Sequence, residues 1–247
     1  MKKREKLELV RRYYPNAQTT IDGVNHLIDL VEDGLDLEPM QIMMADSICS
    51  DDVNSIQLPA RTREFLGPFK MGGLDGFPFT GLTGMGAFAS HVPDDGAVLV
   101  YYGPHIGISR RRQAGEIIRF GQALPSACCG AAKAALARLM EGKIEPGHFT
   151  EMDYQMNTLE QILLRQKERV LGTELPLIEA TEVIYEAIDA RVEELVKATS
   201  YHCKYVILMG AVLINSDSDI GSFTANRKLD VIDLKTGERT SRLSEVD

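Results

Sequence analysis

The chain has 247 residues, 44% of them hydrophobic and 26% charged, which is enough apolar material for one large folded domain without disulfide staples. Its net charge is −9 (27 basic against 36 acidic side chains), which excludes a general nucleic-acid binder, since that would need a broad basic face. The N-terminus, MKKREKLELVRRYYP, has no apolar core of a secretory signal, and no run approaches the ~18 apolar residues of a membrane span. In chain order, residues 3–13 read as a helix. TTIDGVNHLIDLVEDG reads as another, with threonines suited to capping and Val24, Leu27, Ile28 and Val31 at helical spacing. MQIMMADSI is a short buried strand that ends near Cys49. Residues 67–86 hold seven glycines and two prolines, too many for a helix or a central strand. They read as a long loop wrapped tightly around a small cavity lined by Phe69, Phe77 and Phe79.

MGAFASHV is a short helix closed by Pro93, and AVLVYYG is a buried strand with PHIGIS just past its end. PSACCGAAKAALARLM opens a helix, with Pro125 and Ser126 as start signals. Two long helices are expected over 152–171 and 177–199. Two strands follow, KYVILMGAVLIN and FTANRKLDVIDL, with KTGE as the turn after the second. Strands interleaved with helices indicate an α/β sheet with an antiparallel C-terminal addition, organised as a single domain over 1–247. The three arginines of Ser109–Gln113 read as solvated surface.

The four cysteines, Cys49, Cys128, Cys129 and Cys203, form no Cys-x-x-Cys, and the vicinal pair fits a reducing, cytoplasmic compartment. Cys49 and His105 each follow a strand, and Cys129 opens a helix. The carboxyl ends of strands and the amino ends of the following helices converge on one crevice in open α/β sheets. Two thiolates and one imidazole suit zinc and leave a fourth position free. A helix N-terminus favours the Cys129 thiolate. Asp51, two residues beyond Cys49, either competes for the fourth position or orients a bound water. Three readings stay open for Cys49: a buried core residue, a nucleophile paired with His105 in a cysteine hydrolase, or a metal ligand. His202 and Cys203 read as structural.

CSDDVN, GPFKMGGLDGFPFTGLTGMGAFASHVPDDG, YYGPHIGIS and SACCGAA resemble the limiting-CO2-inducible protein B (LCIB) family of algae, diatoms and microbes. The similarity runs through about residues 40–135 and reappears in KYVILMGAVLIN. The resemblance implies a β-carbonic anhydrase-like fold, a parallel core flanked by helices, and a homodimer. It also implies zinc on Cys49, His105 and Cys129, with Cys129 preferred to Cys128 because it precedes Gly130. The implied activity is reversible hydration of carbon dioxide to bicarbonate by a zinc-bound hydroxide, although some members are inactive or act with a partner. Asp51 would orient the hydroxide, and the apolar wall for carbon dioxide would come from Phe77, Phe79 or Phe88. His91 is a candidate proton shuttle. β-Carbonic anhydrases carry Cys-x-Asp-x-Arg, whereas this chain has Val53 at the arginine position. The arginine partner of Asp51 is therefore expected from the LPARTRE loop, Arg61 first and Arg63 second.

Overall fold

In the computed structural model, which describes residues 3–55 and 60–246, helix α1 (Lys3–Arg11) and the two-residue strand β1 (Gln18–Thr19) lead into helix α2 (Thr20–Asp29). The Thr19 hydroxyl caps α2 by accepting the Asp22 N–H at 3.3 Å, satisfying one of the amides that a helix start leaves open. Strand β2 (Ile42–Ser47), helix α3 (Asp52–Ser55), strand β3 (Leu66–Lys70), helix α4 (Gly81–Ser90) and strand β4 (Ala97–Tyr102) follow. Three short strands come next, β5 (His105–Gly107), β6 (Glu116–Ile117) and β7 (Ser126–Ala127). Helices α5 (Gly130–Met140), α6 (Tyr154–Arg165), α7 (Lys167–Leu171) and α8 (Pro176–Lys197) are then succeeded by strands β8 (Tyr205–Asn215), β9 (Ser222–Asp233) and β10 (Arg239–Ser241).

The main sheet runs β1–β9–β8–β4–β2–β3, with β10 beside β9 and β5 beside β8. Strands β3, β2, β4 and β8 are mutually parallel, and β9 returns antiparallel along β8. Both faces of its centre are covered, as a parallel sheet requires. Val98 and Val100 of β4 and Val206 and Leu208 of β8 face Leu136 of α5, Leu163 of α6 and Ile184 of α8. The alternate residues Leu99, Tyr101, Ile207 and Met209 face Val24, Leu27 and Ile28 of α2. The period-two alternation of these strands therefore sorts one apolar run into two cores.

Three elements differ from the sequence expectation. Residues 67–86 are not one long loop: β3 occupies Leu66–Lys70 and α4 starts at Gly81. Burial of Met85, Phe88 and Ala89 outweighs the poor helix propensity of the three glycines in α4. The intervening glycines serve close backbone packing rather than a cavity. A Cβ on Gly72 would lie 2.2 Å from the Ile48 carbonyl oxygen, and one on Gly76, at φ +81°, 2.2 Å from that of Gly103. The expected 152–171 helix is broken at Gln166, where φ is −112°. Ser126 does not start a helix but pairs with Ile117 across β6 and β7.

Candidate metal centre

The residues gathered at one end of the sheet come from four places. Cys49 follows the carboxyl end of β2, and His105 begins β5, in register with Leu213 near the end of β8. Cys129 is the N-cap of α5, and Asp75 sits in the single turn at Leu74–Gly76. The ligand atoms of Cys49, His105 and Cys129 lie within 4.8 Å of one another, and all three residues are buried. The spacing in sequence is long because each donor terminates or starts a different element, and the parallel topology brings those ends together.

Backbone and carboxylate groups of Asp75 tie two of these residues in place. Its N–H donates to Cys49 Sγ at 3.2 Å, and its Oδ1 accepts the His105 N–H at 3.0 Å. Asp75 is fully buried, and burial is the main reason its carboxyl is pushed up to about 7. The imidazole of His105 has Nδ1 2.7 Å from Asn215 Oδ1, while its buried Nε2 has no hydrogen-bond partner. A buried ring nitrogen left open between two thiols has the chemistry of a metal ligand, and two sulfurs with one imidazole match the donor set of a zinc site with one open position.

Proton distribution supports the same reading. Hydrogen bonding from Cys129 holds the Cys49 thiol down to about 4 against the opposing effect of burial, and Cys129 is raised because it keeps the proton of the pair. Burial alone would lower His105, but the Cys128 and Cys49 thiols beside its ring outweigh it and raise the imidazole. The cluster thus holds thiolate character and protons that an incoming cation would displace.

Asp51 faces this cluster, with Oδ2 4.0 Å from His105 Nε2. Its partner is Arg119, which the sequence reading missed. The guanidinium makes a two-pronged contact, Nη1 to Oδ1 at 2.8 Å and Nη2 to Oδ2 at 2.7 Å. Arg119 is itself fixed by Ser126 Oγ at 3.1 Å, the Ala127 carbonyl at 3.1 Å and Asp52 at 3.0 Å. Burial raises the Asp51 carboxyl, but the Arg119 contact prevails and holds it at about 2. The expected partner, Arg61, is turned elsewhere: it pairs with Asp29 of α2 at 3.1 Å and with Glu32 at 3.2 Å. Arg63 is exposed. The physical reason is topological. Asp29, the last residue of α2, and Glu32 in the turn that follows it lie against the 60–64 turn and draw Arg61, whereas pairing of β6 with β7 delivers Arg119 to Asp51.

A second set of donors, Asp51, His105 and Cys128, also lies within 4.8 Å. It shares His105 with the first, so the two are alternatives around one imidazole. Cys128 is in addition 3.5 Å from His105 Nδ1, on the opposite side of the ring from Nε2.

A family match covers residues 18–233 and is described as limiting CO2-inducible proteins B/C, β-carbonic anhydrases. The chain belongs to this family. Among solved structures it is similar to PtLCIB4, a homolog of the limiting CO2-inducible protein LCIB, at 28% identity and TM-score 0.82, over 95% of this chain and 98% of that one. A histidine-to-alanine mutant of PtLCIB4 matches at 26% identity and TM-score 0.81, over 95% and 97% of the two chains. LCIB itself matches at 21% identity and TM-score 0.72, over 93% and 95%, which is a likeness of fold. No curated protein gives a significant match.

Within this LCIB-type chain, Val53 packs with Ile117 and Cys128 in a small apolar cluster beside the site. Valine therefore packs against Cys128, while Arg119 supplies the guanidinium that meets Asp51. A cleft of about 1150 Å3 adjoins this cluster, lined by Val53, Ile117, Arg119, Phe120, Ile220 and Phe223 among others but by none of Cys49, Asp51, His105 and Cys129. Of the phenylalanines expected as the apolar wall, Phe77 and Phe88 are buried in the same apolar cluster as Cys49 and Cys129, and Phe79 packs against it. Phe88 is packed on Phe69, and Phe77 on Phe79 with the Arg191 guanidinium above its ring. His91 is the exposed C-cap residue of α4.

Proposed function

We propose that this chain is a zinc-dependent carbonic anhydrase that catalyses the reversible hydration of carbon dioxide to bicarbonate. The observation that carries the reading is the two-pronged Arg119–Asp51 contact beside a Cys49–His105–Cys129 cluster whose imidazole Nε2 is unpartnered. Cys49, His105 and Cys129 would hold the metal. Zinc held by three protein ligands makes hydroxide available at neutral pH by lowering the pKa of a bound water to about 7.

The protein's own groups then have distinct tasks. Arg119 takes one lone pair from each Asp51 oxygen and keeps the carboxylate ionised. Asp51 Oδ2, on the His105 side, keeps a lone pair that accepts a proton-bearing oxygen in the crevice and orients it. Val53 and Ile117 beside Cys128, and Phe77 in the cluster that holds Cys49 and Cys129, supply apolar surface that favours carbon dioxide over water. Asp75 anchors Cys49 and His105.

A second reading, a noncatalytic carbonic-anhydrase-like zinc protein acting through a partner, is favoured by the overlapping Asp51–His105–Cys128 set. An ion held there would take Asp51 as a ligand, leaving no carboxylate to orient the nucleophile. Zinc content and stopped-flow hydration of carbon dioxide, measured for wild type, Cys49→Ser and Asp51→Ala, separate the two. Zinc-bound wild type that is active and loses activity in both variants supports the enzyme. Zinc-bound but inactive wild type from neutral to alkaline pH supports the second reading, and a folded zinc-free wild type removes both. Activity that survives chelation but dies with iodoacetamide would instead assign Cys49 as a nucleophile.

The cleft is far larger than carbon dioxide requires, and its rim exposes Phe120 (94%) and Ile21 (60%). These apolar side chains support a homodimer in which a second copy covers the cleft. Sedimentation of wild type and Phe120→Asp tests this, the variant shifting toward monomer. Four free, buried cysteines suit the reducing cytoplasm. Among the described residues no helix is long and apolar enough to cross a membrane.

A further inference from the structure

Two buried asparagines connect the cluster to itself. Starting from Cys49, its carbonyl oxygen can only accept a hydrogen bond, and it faces the Asn54 side-chain amide at 3.5 Å, so Asn54 presents Nδ2 there. Asn54 must then present Oδ1 on its other side, where it accepts from Asn215 Nδ2 at 3.3 Å. Asn215 is thereby left with Oδ1 toward His105, 2.7 Å from Nδ1. An amide oxygen has no proton to give, so Nδ1 is the donor and carries the ring hydrogen. The Cys128 thiol, 3.4 Å from the same oxygen, is a second donor to it and does not reverse the direction. Asn54 and Asn215 are 2% and 1% exposed, so water does not offer an alternative set of partners.

We propose that Asn215, oriented by Asn54, is a positioning residue that fixes His105 in the tautomer protonated at Nδ1 and so keeps the Nε2 lone pair for the metal. This rests on the metal-centre reading given above. A free neutral imidazole has no such assigned hydrogen; here it is set by a chain of three directed bonds that begins on the backbone of another ligand residue. The chain also joins Cys49, after β2, to His105, on β5, through the end of β8. An amide rather than a carboxylate at Asn215 adds no charge. Two thiolates already balance a divalent ion, so the centre stays neutral rather than becoming anionic.

The test measures zinc affinity by competition with a chromophoric chelator. Asn215→Leu removes the acceptor at similar volume and should weaken zinc binding about 10- to 100-fold. Asn215→Asp keeps an acceptor toward Nδ1 but loses the donor to Asn54 Oδ1 and adds a charge, so it should recover only part of the affinity lost in N215L. Wild-type affinity in a folded N215L, or equal losses in N215L and N215D, overturns the proposal. A second measurement needs only wild type: with a spin-active cadmium isotope as the metal and isotopically labelled histidine, NMR coupling should connect the metal to Nε2 while Nδ1 keeps its hydrogen. Coupling to Nδ1 overturns the proposal even if N215L does not fold. Wild type that binds neither metal removes the metal centre itself, an outcome distinct from a tight site that is indifferent to Asn215.

Discussion

Arg119 and Arg61 are a natural pair of controls, because both are arginines bonded to two acids and only one faces the metal cluster. Arg119→Ala should leave zinc bound but lower hydration roughly 100-fold or more, since Asp51 loses the group that orders and ionises it. Arg61→Ala should leave kcat unchanged and cost under about 1 kcal/mol, the usual worth of a partly exposed ion pair. Stopped-flow hydration with metal analysis on the same two preparations decides both. Equal losses in the two variants would show that the Asp51 contact has no special role. At this scale Cys49, His105, Cys129 and Asp51 could be picked out of the sequence, because each follows or opens an element whose pattern is strong. Arg119 could not. It lies 68 residues beyond Asp51, and nothing in EIIRFG marks its arginine as different from those of SRRRQ.

The elements that deliver Arg119 depend on a buried carboxylate just after β8. Asp217 Oδ1 accepts the Ile118 N–H at 2.8 Å, and Oδ2 accepts the Arg110 N–H at 3.0 Å and Nε at 3.1 Å. The Ser218 N–H returns the bond to the Ile118 carbonyl at 3.1 Å. Residue 118, next to Arg119, is thus pinned to the end of β8. Asp217→Ala should destabilise the fold by about 1–3 kcal/mol, because it strands a part-buried amide. It should also lower kcat further than it raises KM, because the dyad is loosened while the metal ligands stay in place. Chemical denaturation and steady-state kinetics read the two effects separately. The same Arg110 belongs to the basic run read as solvated surface; it is half exposed, yet its inner edge braces this turn. Glycine content misled the reading of 67–86 for a related reason. Glycine propensity is local, whereas burial of Phe88 and Met85 is a tertiary gain that a propensity scale does not contain.

Across the whole molecule, α8 is joined to β9 and β10 by a charge network. Glu193 accepts from Lys228 at 2.8 Å and also pairs with Arg239, which bridges to Asp230 at 2.7 Å. Chiefly through Arg239, and despite burial, Glu193 is held down at about 2. A carboxyl lowered on folding stabilises the protein above the ordinary glutamate range and loses that contribution as pH falls toward 2. The Tm difference between wild type and Arg239→Ala should therefore be largest near neutrality and shrink from pH ~5 toward ~2; a gap that widens in acid would contradict the assignment. If the proposed zinc is bound, its removal should act globally as well. A ligand that binds only the folded chain at a thousand times its Kd contributes about 4 kcal/mol, so exhaustive chelation should lower Tm on the order of 10 °C. Re-addition of zinc should restore it, and Cys49→Ser should abolish the response.

Hydrophobic period, turn residues and side-chain chemistry are local properties, and they were sufficient for the α/β class, the buried central strands, the antiparallel return of β9 and the donor types available for a metal. Two other features came from the folded arrangement alone: which arginine meets Asp51 and which groups surround His105. Both depend on side chains distant in sequence that the sheet topology brings together. Arg61 was nearer along the chain, but Asp29 and Glu32 were nearer to it in space.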